Sequence, residues 1–546
     1  MKFRLRVLIV AAALIAHPTF AVAENKTVTQ QQGWDDTLRT LFYHTPQGSH
    51  MMQADLFAAL VQPNSEGRFS DPDYLAQFGF LPPDGPSSLN PDGYPIGFAV
   101  EQSANQVGLT CAACHTAEFE VDGERIRIDG APAHLDFDSF YQALATTVRL
   151  NVVSDPLFDQ FAVNFGAAED EKPALRARLR SASIELTGDA VLRRPALASG
   201  YGRVDALTQI INSLAVTDQS APQNMHPVAA PTSYPPLWLT PDLEFVQWVP
   251  IAASPIARNG GQVLGVFGNS NMLPDAGAEA FSSSMLLQEL KELEDWLKLL
   301  KPPVWDEERM GSIDTDLRDQ GAALFQENCA ACHNMAPYRR TQPTDNYFGE
   351  TFIEISRIPY QTVGTDPTYV QSLLTRWVKT NATTAPLLKG APEVPAVAFF
   401  AATVQGNIKR AVAEAQLNED EIDELNGWRF RTGENGEKIP YAPSTPPDYL
   451  KAGPLAGVWA TGPYLHNGSV PTVYELLSPV EQRRKVFWTG GRALDLRRLG
   501  YSSGDAPGRF RFDTSLPGNG NGGHLFPAGG LEHDERMAII EYLKSQ

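Results

Sequence analysis

Four cysteines are present in 546 residues, and all four fall in two copies of one pentapeptide, Cys111-Ala112-Ala113-Cys114-His115 and Cys329-Ala330-Ala331-Cys332-His333. A chain that commits every thiol in this way must fold two loops around whatever those thiols hold. Two disulfides would also consume four cysteines, but pairs three residues apart, each followed at once by a histidine, are a poor cross-linking framework. Zinc half-sites account for Cys-x-x-Cys and leave the repeated histidine unexplained. Cys-x-x-Cys-His is the attachment signature of c-type haem. Both sulfurs reach one porphyrin edge, and the next residue brings its imidazole under the iron. The spacing therefore predicts two covalently bound haem c groups held by Cys111, Cys114, Cys329 and Cys332, with His115 and His333 as proximal ligands.

The N-terminus predicts where such a chain resides. Lys2, Arg4 and Arg6 precede an apolar run from Val7 to Ala16, and Ala21-Val22-Ala23 offers a small-x-small cleavage site. This pattern is a secretory signal peptide over residues 1–23, too short to be a membrane anchor. The expected location is periplasmic or secreted, without membrane insertion. Cleavage would move the net charge from −20 to about −23, which argues against nucleic acid as a partner.

Two haem domains are expected, at 24–303 and 304–546. The stretch "MLLQELKELEDWLKLLKPP" (285–303) is an amphipathic helix stopped by Pro302-Pro303, and "DLRDQGAALFQENCAACH" (316–333) is a helix running into the second motif. A last helix is expected over 531–546. The expected class is mainly α, with two cytochrome c-like haem domains, extensive loops and little β structure.

The second axial position of each iron separates electron carriers from catalysts. Apart from His17 and the two proximal residues, the histidines are His44, His50, His134, His226, His466, His524 and His533. Three have suggestive settings. His466 sits in a turn between Pro463 and Pro471, His524 in the glycine-rich "SLPGNGNGGHLFPAGG" (515–530), and His134 about twenty residues beyond the first motif. Met335 lies too near its own motif to cross the ring, and Met537 falls on the last helix.

Several longer stretches carry a resemblance. They are "FYHTPQGSHMM" (42–52), "NPDGYPIGFAV" (90–100), "VGLTCAACHTAEFEVDGERIRIDGAPAHLDF" (107–137), "PLAGVWATGPYLHNGSVPTVYELLSP" (454–479) and "RFDTSLPGNGNGGH" (511–524). With the paired motifs, the chain resembles the dihaem cytochrome c peroxidase and MauG superfamily, and within it the RoxA-like, rubber-oxygenase branch. The resemblance implies that the N-terminal haem, on His115, is the O2-binding reactive centre. The C-terminal haem, on His333, would be a bis-histidine electron relay. Its second ligand would lie shortly before the last helix, which favours His524, with His466 as the alternative. The segment 233–268 would supply aromatic residues over the first iron and between the two groups. Its candidates are Trp238, Phe245 and Trp248, with Phe267 beside them. Superfamily analogy also offers a calcium ion between the domains, although no acidic loop demands one.

Three functions follow as expectations. The first is oxygenase-type oxidation of an unsaturated apolar substrate by O2. The second is a MauG-like or cytochrome c peroxidase that uses H2O2 and takes electrons from a small redox protein. It would need an acid–base group near the iron, for which His134 and Glu244 are available. The third is a non-catalytic electron-transfer cytochrome.

Overall fold

The computed structural model describes residues 27–441 and 447–546; the expected signal peptide lies outside the described residues. The helices expected from periodicity are present. Helix α1 covers Asp36–His44, and the Asp35 side chain caps its N-terminus. Cys111–Cys114 form a single helical turn, α2. Helix α3 spans Leu287–Leu297, α4 spans Thr315–Asn328, and α5 closes the chain at His533–Lys544. Helix α4 begins on Asp314, whose carboxylate accepts from the backbone N–H groups of Asp316 and Leu317.

Helices α4 and α5 cross at very close range. A Cβ on Gly321 of α4 would collide with the carbonyl of Ala538 on α5. Only a residue without a side chain permits that approach. Phe325 and Tyr542 pack beside the crossing with ring centres 5.2 Å apart.

The expectation of a mainly α fold is not met. The structure is 40% helical and 15% strand, and its strands form seven small sheets among the described residues. The clearest departure surrounds the first motif. Strands β1 (Phe98–Glu101) and β2 (Gln106–Leu109) pair antiparallel and lead straight into α2. Strands β3 (Thr116–Val121) and β4 (Glu124–Asp129) then form a hairpin that leaves it. Asp122 and Gly123 make its turn with φ of 47° and 84°. An Asp-Gly pair with two positive φ values matches the right-handed twist of the flanking strands. Alternate residues Ala117, Phe119 and Val121 enter the core. On the other face the Glu118 carboxylate, fully buried, pairs with Arg127 at 2.8 Å. In the C-terminal half, β5 (Ser356–Pro359) pairs antiparallel with β6 (Tyr449–Ala452).

The largest apolar core runs across residue 303. It joins Trp34, Phe119 and Leu297 to Trp305, Phe325 and Trp459. A second core is built only from residues 51–267. A third, small one gathers Leu243, Phe245 and Ile353 around Tyr441. The elements that meet at the first two cores frame the cavity described next.

Candidate functional site

None of the four cysteines is paired in a disulfide. Burial pushes the Cys111 and Cys329 thiols up to about 11 and that of Cys114 to about 12, so all three are neutral near pH 7. The histidine of each motif is oriented in the same way. His115 donates from Nδ1 to the carbonyl of Pro235 at 2.9 Å, and His333 donates from Nδ1 to the carbonyl of Gly453 at 3.0 Å. In both motifs the acceptor lies 120 residues beyond the histidine. A donor at Nδ1 leaves the lone pair on Nε2, which is the tautomer an iron ligand needs. Burial lowers the pKa of His115 to about 4 and that of His333 below its ordinary value, so both imidazoles are neutral.

The two acceptor segments, 233–238 and 451–456, are tied to each other. Trp248 donates from Nε1 to the carbonyl of Ser233 at 2.8 Å, and its own carbonyl accepts from the Lys451 N–H at 2.9 Å. Trp238 donates from Nε1 to the carbonyl of Ala456 at 2.7 Å. One tryptophan therefore links the residues two before each acceptor, and the other links the residues three after each.

Between these segments lies a cavity of about 300 Å³. Cys329, Cys332, His333, His466 and His524 line it, as do Trp238, Trp248 and the Ser233–Pro236 segment. His333 and His524 face each other with ring centres 6.2 Å apart. With Cys329 and Cys332 beside them, these two imidazoles would hold a haem iron. His524 is held in place by its backbone. It has φ 52°, its N–H donates to the Val363 carbonyl at 2.7 Å, and a Cβ on the preceding Gly523 would run into Gly364. Glycine at 523 is thus required by a close backbone approach as well as by its own positive φ.

His466 also faces the cavity, from a tight turn in which Tyr464 and Val470 pair. Ser233 donates to its carbonyl from N–H at 2.9 Å, and the Arg203 guanidinium donates to the carbonyl of Asn467 at 3.1 Å. Asn467 and Ser469 donate in turn to Gly520 of the glycine-rich loop. The nearest ring to His466 is Tyr369, at 6.2 Å. The Nδ1 atoms of His466 and His524 are buried without a partner, and burial lowers each imidazole to about 4.

The other residues singled out from sequence are placed elsewhere. Phe245 is fully buried in the third core, 5.4 Å from the Tyr441 ring, and does not line the cavity. Phe267 packs on Tyr141 at 4.7 Å within the second core. Glu244 accepts from the Tyr441 hydroxyl at 3.1 Å. His134 is buried against Tyr501 at 4.0 Å, away from the main cavity. Among the described residues, no group of three or more His, Cys, Asp or Glu side chains is placed to hold a metal ion. No described helix is long and apolar enough to cross a membrane.

Sequence reasoning missed Pro235 and Gly453. A signal was available: each opens an X-Pro step followed closely by Leu and Trp, in "SYPPLW" and "AGPLAGVW", at equal distances from the two motifs. At the second motif the unpaired cysteines, the neutral Nδ1-anchored imidazole and the apolar cavity fit a covalently held haem; the first motif repeats the cysteines and the anchored imidazole, and none of its residues lines that cavity.

Comparison with known proteins agrees. Residues 449–489, which hold β6, Gly453 and the His466 turn, match a family described as RoxA-like, cytochrome c-like. That segment is thus a RoxA-like, cytochrome c-like domain, for which covalently bound haem c is the implied cofactor and electron-transfer chemistry the implied class. The chain is 33% identical to the uncharacterized protein y4iJ of Sinorhizobium fredii (strain NBRC 101917 / NGR234) over 584 aligned residues, 95% of this chain and 93% of that one, and it belongs to the family of that protein. The uncharacterized protein y4iM of the same strain is 26% identical over 322 residues, 57% of this chain and 58% of its own length.

Proposed function

We propose that the protein is an exported dihaem c-type oxidoreductase in which the site on His115 reacts and the site on His333 relays electrons. The observation that carries this reading is an asymmetry between the two histidines. His333 has a second imidazole, His524, facing it with ring centres 6.2 Å apart. The aromatic neighbour of His115 is Tyr234, with ring centres 6.3 Å apart, and Tyr234 adjoins the Pro235 acceptor on the proximal side. Among the described residues no second imidazole stands in ring contact with His115, and a haem held there would be the one open to substrate.

Bound haem would supply a redox-active iron able to activate O2 or peroxide. The chain supplies its setting. Nδ1 of each proximal histidine is fixed on a backbone carbonyl, Trp238 and Trp248 brace the cavity wall, and Leu239, Leu243 and Ile358 keep that wall apolar. That cavity belongs to the second motif and would house the relay haem; the RoxA-like match favours oxygenase-type oxidation of an unsaturated apolar substrate at the His115 site. A peroxidase would want a proton-transferring side chain beside the reacting oxygen; Glu244 is engaged by the Tyr441 hydroxyl in the third core and His134 packs on Tyr501. Electrons for either chemistry would come from a small redox protein on the outer side of the cytoplasmic membrane.

The test is spectroscopy of the purified holoprotein alone, with O2, and with H2O2. A spectral response of one haem to O2 without peroxide, accompanied by consumption of an unsaturated hydrocarbon, is the expected result. A response to peroxide only, with turnover of a reduced cytochrome, would replace the oxygenase with the peroxidase. Two low-spin haem groups inert to both reagents would leave an electron carrier.

A further inference from the structure

Lys451 is the single Lys, Arg, Asp or Glu among the residues lining the cavity. It lies on β6, where its N–H is bonded to the Trp248 carbonyl, and its ammonium stands 6.0 Å from the centre of the Trp248 ring. The residue opposite it across the strand pair is Arg357, so the sheet supplies a second cation and not an acid. Among the described residues no carboxylate lies within ion-pair distance of Lys451. The chain holds 64 acidic residues, and nearly every other deeply placed cation has an acid or a set of backbone carbonyls. Arg258 has Glu294, Arg127 has Glu118, and Arg429 donates to the carbonyls of Pro241 and Glu244.

We propose that the Lys451 ammonium is a carboxylate-binding site inside the cavity. Lys451 is half-buried, and an ammonium partly withdrawn from water gains from an anion that faces it. Burial alone draws Lys451 down to about 8, so it remains mostly cationic at neutral pH while lacking a protein partner. Leu239, Leu243, Ile358 and Leu450 line the same cavity. The complementary ligand is therefore a carboxylate carried on an apolar body. Two sources share that chemistry: a propionate of the haem held beside His333, and the acid head of an apolar substrate. The first source rests on the haem reading above; the second requires only the cavity.

The holoprotein distinguishes them. Haem staining of the denatured chain comes first, because absence of attached haem would defeat the functional reading without touching Lys451. Wild type, K451M and K451R are then compared in two measurements, with K451R serving as the charge-retaining variant should K451M fold poorly. In a spectroelectrochemical titration, a downward shift of one midpoint potential in K451M, restored in K451R, assigns the site to a haem propionate. In calorimetric titration with dodecanoate and with dodecanol, a tenfold or greater loss of dodecanoate affinity in K451M, with dodecanol unaffected, assigns it to a substrate carboxylate. Unchanged potentials together with unchanged dodecanoate binding in K451M would overturn the proposal.

Discussion

The two Cys-Ala-Ala-Cys-His motifs share five letters and little of their surroundings. The first is entered from a strand, leaves through a hairpin, and buries both of its alanines, Ala112 at 1% and Ala113 at 5% exposed. The second ends a long amphipathic helix, and its Ala331 is open to solvent. An exposed attachment loop suits electron exchange with a partner protein, and an enclosed one suits chemistry that must exclude water. The anchoring of the two proximal histidines is nevertheless the same, with Nδ1 on a carbonyl 120 residues away in both halves. What is duplicated anchors the histidine of each motif, and what differs is how far each motif is enclosed.

The largest effect expected from breaking this comparison is loss of a cofactor. Replacing Cys111 and Cys114 together with Ala, or Cys329 and Cys332 together, should lower the haem content from two per chain to one, as read by pyridine haemochrome. A pair whose removal leaves the stoichiometry unchanged does not hold haem. Next comes the sixth ligand. His524→Ala should convert one low-spin haem to high-spin while His466→Ala leaves the spectrum low-spin, because the ring partner of His466 is Tyr369 and that of His524 is His333. The opposite pattern would move the ligand assignment to His466. A third prediction concerns the helix crossing beside the second motif. Gly321→Ala forces a methyl into the Ala538 carbonyl; overpacking of this kind costs about 1–3 kcal/mol. Chemical denaturation should show a lowered midpoint, whereas Gly188→Ala, with open space at the Cβ position of an ordinary helix, should show none.

These contrasts also explain what could be read from the amino-acid order. The second half was legible because its structure is local. The apolar stripe of 316–333, its acidic N-cap and the last helix all follow from spacing within a few turns. The mainly α expectation fails most clearly around the first motif, where strands flank a single helical turn. The opposing signal, Asp122-Gly123 between two alternating runs, was present and unused. Trp238 and Trp248 could be chosen for their place in an aromatic-rich segment, yet nothing in that pattern separates them from Phe245. Whether a ring faces a cavity or a satellite core depends on contacts with Tyr441 and β6, some two hundred residues away. Lys451 had no local mark at all. A lysine in a strand is ordinary until the fold removes every acid from its neighbourhood.

The smallest predicted effect tests one of the two tryptophan links between the acceptor segments. Trp248 ties Ser233, two residues before the His115 acceptor, to Lys451, two residues before the His333 acceptor. Trp248→Phe keeps the backbone bond to Lys451 and most of the ring area but deletes the Nε1 donor. The Ser233 carbonyl still accepts elsewhere only if the segment shifts, so the cost should be near the net value of one neutral hydrogen bond, about 1 kcal/mol. Stability should therefore fall slightly, by a few degrees at most in a thermal melt. Electron transfer between the sites, followed by rapid-mixing reduction, should slow more than that loss suggests, because the ring lies between the two anchoring segments. If Trp248→Phe changes the melt but not the rate of exchange, Trp248 is a brace alone. In that case coupling between the sites runs through the second link, the bond from Trp238 to Ala456.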